Sequence, residues 1–135
     1  MKFTKDKFKR KGGAPALTFE QHGDGGQGVI TDMQDVPDEY ADTKGETVFR
    51  LTAFGSMTVN GEVTESTEWS WYIRSAGAND AMAEACPPEG YELGGYIDGR
   101  YVSDKPLRNG KSMKRYAVRY DAPGALGTGE FGEAS

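Results

Sequence analysis

Apolar and polar residues alternate with a period of two along several short stretches of this 135-residue chain. That is the spacing of strands with one buried face. It is clearest over residues 47–54 (TVFRLTAF), where Phe49, Leu51 and Ala53 alternate with Arg50 and Thr52. Residues 28–36 (GVITDMQDV) read as a strand before it, and Gly55 reads as its break. The segments 57–59 and 62–64 flank Asn60-Gly61 and predict a small extra hairpin, because both turn residues tolerate positive φ. Residues 68–74 (EWSWYIR) form a further strand, and 91–102 another, bent or bulged at Gly94-Gly95. The last strand spans 112–120, with Tyr116, Val118 and Tyr120 on one face and Arg115, Ala117 and Arg119 on the other. Between these strands, 76–86 has helical spacing: Ala78, Met82 and Ala85 share a face, Ser75 or Asn79 can cap the start, and Pro87-Pro88 ends it.

The order of elements is three main strands, one helix and two strands, with the hairpin inserted between the second and third. This predicts an all-β chain with one short helix: an OB-fold-like five-stranded Greek-key barrel with an extra hairpin and flexible termini. A small β-sandwich with one crossover helix reads similarly. The expected organisation is a basic, Gly-rich arm over 1–27, the OB-fold-like domain over 28–120, and a flexible, mildly acidic tail over 121–135. The run at 23–28 (GDGGQG) reads as a hinge.

Composition narrows the chemistry. No stretch approaches the length of a membrane span, and no apolar segment follows the basic N-terminus, so neither a membrane nor a secretory signal is expected. Cys86 is the single cysteine and His22 the single histidine. This usage suits the cytoplasm and makes no zinc site. Phosphate-binding, dinucleotide-binding and nucleophile-elbow motifs are missing. The expectation is a non-enzymatic protein without metal or cofactor.

The net charge of −5 conceals segregation by sign. Residues 1–12 carry net +5, 13–48 net −7, 49–99 net −6, 100–120 net +6 and 121–135 net −3. Seven cations within 100–120 make a local positive field to which polyanions respond. Arg50 and Arg74 are the only basic residues of 49–99.

The pleat decides which residues can meet a ligand. With Phe49, Leu51 and Ala53 inward, Arg50, Thr52 and Phe54 face outward. With Trp69, Trp71 and Ile73 inward, Ser70, Tyr72 and Arg74 face outward beside Arg50; the inverse phase would turn the two Trp rings outward as stackers. A cation–aromatic surface suits single-stranded nucleic acid, where bases stack and guanidinium groups hold phosphates. The loop 103–111 and the last strand add Lys105, Arg108, Lys111, Lys114, Arg115 and Arg119. Against this, the first connecting loop is acidic, with only Tyr40 and Lys44 suited to such contacts.

Four stretches carry a resemblance: 28–33 (GVITDM), 43–52 (TKGETVFRLT), 91–101 (YELGGYIDGRY) and 115–123 (RYAVRYDAP). Together they resemble small OB-fold proteins of actinobacterial phages that are taken to bind single-stranded DNA. The resemblance covers about residues 28–123 and departs from the family pattern in the acidic first loop and the acidic 62–68 segment. It implies sequence-tolerant binding of single-stranded DNA in phage replication or recombination, in the host cytoplasm. The same stacking and phosphate contacts would serve RNA. Barrels of this kind work as dimers or tetramers, so a homo-oligomer is compatible, and the tail could recruit replication or recombination proteins. The competing expectation is a protein–protein interaction module, a phage accessory or inhibitor protein that uses its acidic surface.

Overall fold

The computed structural model describes residues 14–40 and 44–126. The expected basic arm over 1–12 and the tail beyond 126 lie outside those residues. Five strands form one antiparallel sheet: β1 (Gly25–Pro37), β2 (Thr47–Val59), β3 (Glu62–Ile73), β4 (Tyr96–Pro106) and β5 (Ser112–Asp121). Helix α1 (Ala76–Ala85) follows β3, and a helical turn, α2 (Pro123–Leu126), follows β5. The sheet order is β3-β2-β1-β4-β5.

The expected separate hairpin is corrected. Residues 57–64 are the far end of one long β2–β3 hairpin, whose turn is Asn60-Gly61 with φ of 53° and 83°. Gly55 does not break the strand. It is absorbed by a bulge before Met57, and its bare Cα lets β1 approach, since a Cβ there would lie 2.2 Å from the Gln27 carbonyl oxygen. Strand β4 starts at Tyr96, not 91. The preceding Gly94 and Gly95 instead exchange backbone hydrogen bonds with Ile30 at 2.9 and 2.8 Å.

The strand phase is the one with both Trp rings inward. Trp69 and Trp71 are buried with Leu51, Ala53, Ile30 and Ile97, so the inverse phase does not hold. Each indole lies over a glycine: a Cβ on Gly26 would meet the Trp69 ring at 2.6 Å, and one on Gly99 would meet Trp71 at 2.6 Å. From Gly25 onward the run read as a hinge is therefore strand packed against the core, and Asp24 just before it is fully buried. Its carboxylate accepts from the backbone N–H of Glu20, Gln21, Asn60 and Gly61 at 2.7–3.2 Å, tying the entry to β1 to the hairpin turn. Burial opposes ionisation of this carboxyl, but the four N–H donors outweigh it and hold its pKa below the ordinary value.

The sheet curls but does not close into a barrel. The rings of Trp71 on β3 and Tyr116 on β5 come within 5.8 Å across the core, yet the two strands do not pair. The seam between them is plugged. Ser70 of β3 exchanges backbone hydrogen bonds with Pro15 and Leu17 at 2.8 and 2.9 Å, and the Phe19 ring wedges between Trp71 and Tyr116 at 5.3 and 5.0 Å. Residues 14–27 thus belong to the folded body rather than to an arm, because Leu17 and Phe19 supply core surface that β5 does not reach. Helix α1 packs on β5 so closely that a Cβ on Gly77 would lie 2.3 Å from the Lys114 carbonyl oxygen. Ser75 caps α1, its hydroxyl accepting from the Ala78 N–H at 3.1 Å, and the helix stops at Cys86 before the prolines. Among the described residues no helix is long and apolar enough to cross a membrane.

Candidate nucleic-acid interface

Register places the outward residues of β2 and β3 in rows. Arg50 stands opposite Tyr72 on one side and Gln34 on the other; Thr52 stands between Ser70 and Asp32; Phe54 stands between Glu68 and Val29. The expected exposure of Thr52 and Ser70 is corrected: both are buried, their hydroxyls hydrogen-bond each other at 2.9 Å, and the Pro15–Leu17 segment pairs with Ser70. Arg74 leaves the end of β3 and brings its guanidinium 5.3 Å from the Tyr72 ring centroid and 4.9 Å from that of Tyr40. The result is a ladder in which the Arg74 guanidinium lies near the rings of both Tyr40 and Tyr72, with Arg50 opposite Tyr72 on the neighbouring strand. Tyr40 is 80% exposed and leaves one ring face open to solvent. Phe54 lies beyond the Ser70–Thr52 row, 51% exposed beside Val29.

Both ladder arginines are neutralised. Arg50 donates to Asp32 at 3.0 Å, and Arg74 donates to Asp38 at 3.2 Å. Hydrogen bonding by Gln34 and Arg50 holds the Asp32 carboxyl below its ordinary pKa against a smaller opposing effect of burial. Burial works against the Arg50 charge, and Asp32 and Tyr72 together more than restore it, holding its pKa above the ordinary value. Arg50 also keeps its Nε buried with no hydrogen-bond partner. Each aspartate neutralises much of its arginine's charge and reduces what the guanidinium could offer to another anion.

The predicted cations separate into three environments. Arg108 and Lys111 sit at the tip of the β4–β5 hairpin, exposed, in a turn closed by the Leu107–Lys111 and Gly110–Leu107 backbone bonds. Lys105 and Arg115 line a cleft against α1. Among the described residues none of these four has an ion pair. Lys114 and Arg119 are engaged elsewhere. Lys114 donates to the Phe19 carbonyl at 2.7 Å and sits 5.0 Å from the Tyr101 ring centroid, helping to hold the seam plug. Arg119, at the far end of β5, pairs with Asp121 at 2.9 Å.

Sequence reasoning missed Asp32 and Asp38 as partners of the arginines. Asp32 lies directly across β2 from Thr52, so a correct β1–β2 register would have exposed it. No such signal existed for Asp38, which follows β1 and reaches Arg74 only through the curl of the sheet. His22, in the segment expected to be an arm, hydrogen-bonds Asp104 at 3.2 Å and packs edge-on against Tyr101. The Tyr101 hydroxyl in turn donates to Asp104; that bond and burial push its pKa up to about 12.

Among the described residues no group of three or more His, Cys, Asp or Glu is arranged to hold a metal. No protein-family model, curated protein or solved structure matches this chain.

Proposed function

We propose that this protein binds single-stranded DNA without strong sequence preference, stacking bases on the β2–β3 outer face and holding phosphates on the β4–β5 hairpin. The observation that carries the reading is the ladder Tyr40–Arg74–Tyr72–Arg50. It presents π-faces and oriented guanidinium planes in succession, a surface that takes any base. The strand order, with the helix between β3 and β4, supports reading the sheet as an OB-type barrel left open between β3 and β5. In that architecture the β2–β3 face and the 4–5 loop flank one groove. Replication or recombination in a phage-infected cell is the setting in which such a protein acts.

The two surfaces divide the work. Ladder arginines already hold carboxylates, so they add stacking energy with little counterion release. The phosphate contacts fall to Arg108 and Lys111, with Lys105 and Arg115 behind them. Two to four such contacts give a slope of log affinity against log salt of about −1.4 to −2.8. Trp69 and Trp71 are buried, so intrinsic Trp fluorescence will report the fold rather than the ligand. The test is the anisotropy of a labelled oligo-dT strand, titrated with the full chain at two salt concentrations. Saturable, salt-sensitive binding supports the reading; no binding at about 50 mM salt overturns it, since affinity is greatest at low salt.

A further inference from the structure

Helix α1 and the β4–β5 strands enclose a cleft of about 350 Å³ whose two walls carry opposite charge. Asp80 and Glu84, one turn apart on α1, form the acidic wall. Lys105 at the end of β4 and Arg115 on β5 form the basic wall, and Met113 and Tyr116 add apolar surface. The tight approach of Gly77 to β5 pins the N-terminal end of the helix to the strand.

These exposed charges, like Arg108 and Lys111 at the hairpin tip, differ from the paired arginines of the sheet. Arg50, Arg74, Arg100 and Arg119 each have a carboxylate within 3.2 Å. In the cleft, two acids face two bases, and among the described residues none of the four charged groups makes an ion pair or hydrogen bond. The fold holds opposite charges apart with a space between them that falls at the small end of the range for ligand pockets. A simple anion is attracted by one wall and repelled by the other, and so is a simple cation. A molecule carrying both charges gains from both walls, because like-charge juxtaposition is the main penalty against the wrong ligand.

We infer that this cleft is a binding site for a small zwitterion of the α-amino-acid class. Its carboxylate meets the Arg115 fork and the Lys105 ammonium, its ammonium meets Asp80 and Glu84, and an aliphatic side chain lies on Met113 and Tyr116. The cleft uses none of the aromatic ladder; it shares Lys105 and Arg115 with the phosphate surface proposed above, while Asp80, Glu84 and Met113 belong to the cleft alone.

The test uses the full chain, labelled with ¹⁵N, and three probes: L-leucine, N-acetyl-L-leucine, which lacks the ammonium, and L-leucinamide, which lacks the carboxylate. Leucine should shift the Gly77, Ala81 and Arg115 amides saturably, with a millimolar dissociation constant appropriate to about nine heavy atoms. Each control should bind at least about tenfold more weakly. The exposed pair of changes Asp80→Asn with Glu84→Gln should abolish discrimination against N-acetyl-L-leucine while leaving the melting temperature in place. Three results overturn the inference: no shift of the cleft amides at about 10 mM leucine, ten times a millimolar dissociation constant; discrimination below about tenfold by either control; or unchanged discrimination in the double variant.

Discussion

The two surfaces proposed to meet a nucleic acid are built on opposite electrostatic plans. On β2–β3, Arg74 lies against the Tyr40 and Tyr72 rings, Arg50 stands opposite Tyr72, and the two arginines are tied to Asp38 and Asp32. On the β4–β5 tip, Arg108 and Lys111 stand exposed with no ion pair among the described residues. A guanidinium held by a carboxylate and an aromatic face is pre-oriented, so it contributes geometry and stacking. An unpaired cation on a hairpin tip contributes field strength that salt screens. The contrast teaches that a count of cations along a sequence overstates the phosphate-binding capacity of a surface. The partners of each cation decide whether it is free to act.

Four changes would break or sharpen this contrast. The largest effect belongs to the ring beneath the ladder. Trp69→Ala should cost about 3–5 kcal/mol of stability in a denaturant melt, because it empties a fully buried site that Gly26 cannot fill. Tyr72→Ala, three residues on and facing outward, should cost under about 1 kcal/mol of stability. Equal costs would mean that the ladder is part of the core and not a ligand surface.

Next comes the tip. Arg108→Glu with Lys111→Glu should weaken oligo-dT binding by about a hundredfold at low salt and flatten the salt slope by about 1.4, with melting unaltered. A slope that does not change would place the phosphates elsewhere.

Tyr72→Ala should then weaken binding by about 1–3 kcal/mol at an unchanged salt slope, since it removes stacking and no charge. A fall in slope together with affinity would show that the ladder does hold phosphate.

The smallest effect converts one plan into the other. Asp32→Asn frees Arg50 at a stability cost under about 1 kcal/mol, as for other partly exposed ion pairs. The salt slope should steepen by about 0.7. Acid should reproduce this change in the unaltered chain. The Asp32 carboxyl is held below its ordinary pKa, so its pairing with Arg50 is fully present above the unfolded value of about 3.9 and is lost as pH falls through the lowered folded value. Titrating the slope from pH 7 down to about 4 should therefore show no steepening; steepening well above pH 4 would mean that another group controls Arg50.

Much of the fold was legible because local rules and tertiary packing agree. Phe49, Leu51 and Ala53 alternate with polar residues and are the inward residues of β2. Asn60-Gly61 is a hairpin turn with both φ values positive. Ser75 caps α1, and the prolines after Cys86 end it. The outward placement of Arg50, Phe54, Tyr72 and Arg74 followed from the period of two once the Trp phase was chosen. The charge state of that face did not follow, because Asp32 and Asp38 meet the arginines across strands and loops rather than along the chain.

The sequence by itself determined the strands, the one sizeable helix, the turn of the long hairpin and the segregation of charge. These depend on propensity and periodicity within a few residues of chain. Only the tertiary structure decided that the sheet stays open, that Leu17 and Phe19 plug its seam, and that Gly25, Gly26 and Gly28 are strand, with Gly26 packed beneath Trp69. A glycine has no side chain with which to signal burial, so a glycine run reads as a hinge until the ring that covers it is in place. Asp24 illustrates the same limit: two of its four N–H donors lie three and four residues before it and the other two 36 and 37 residues after it, and only folding brings them to one carboxylate.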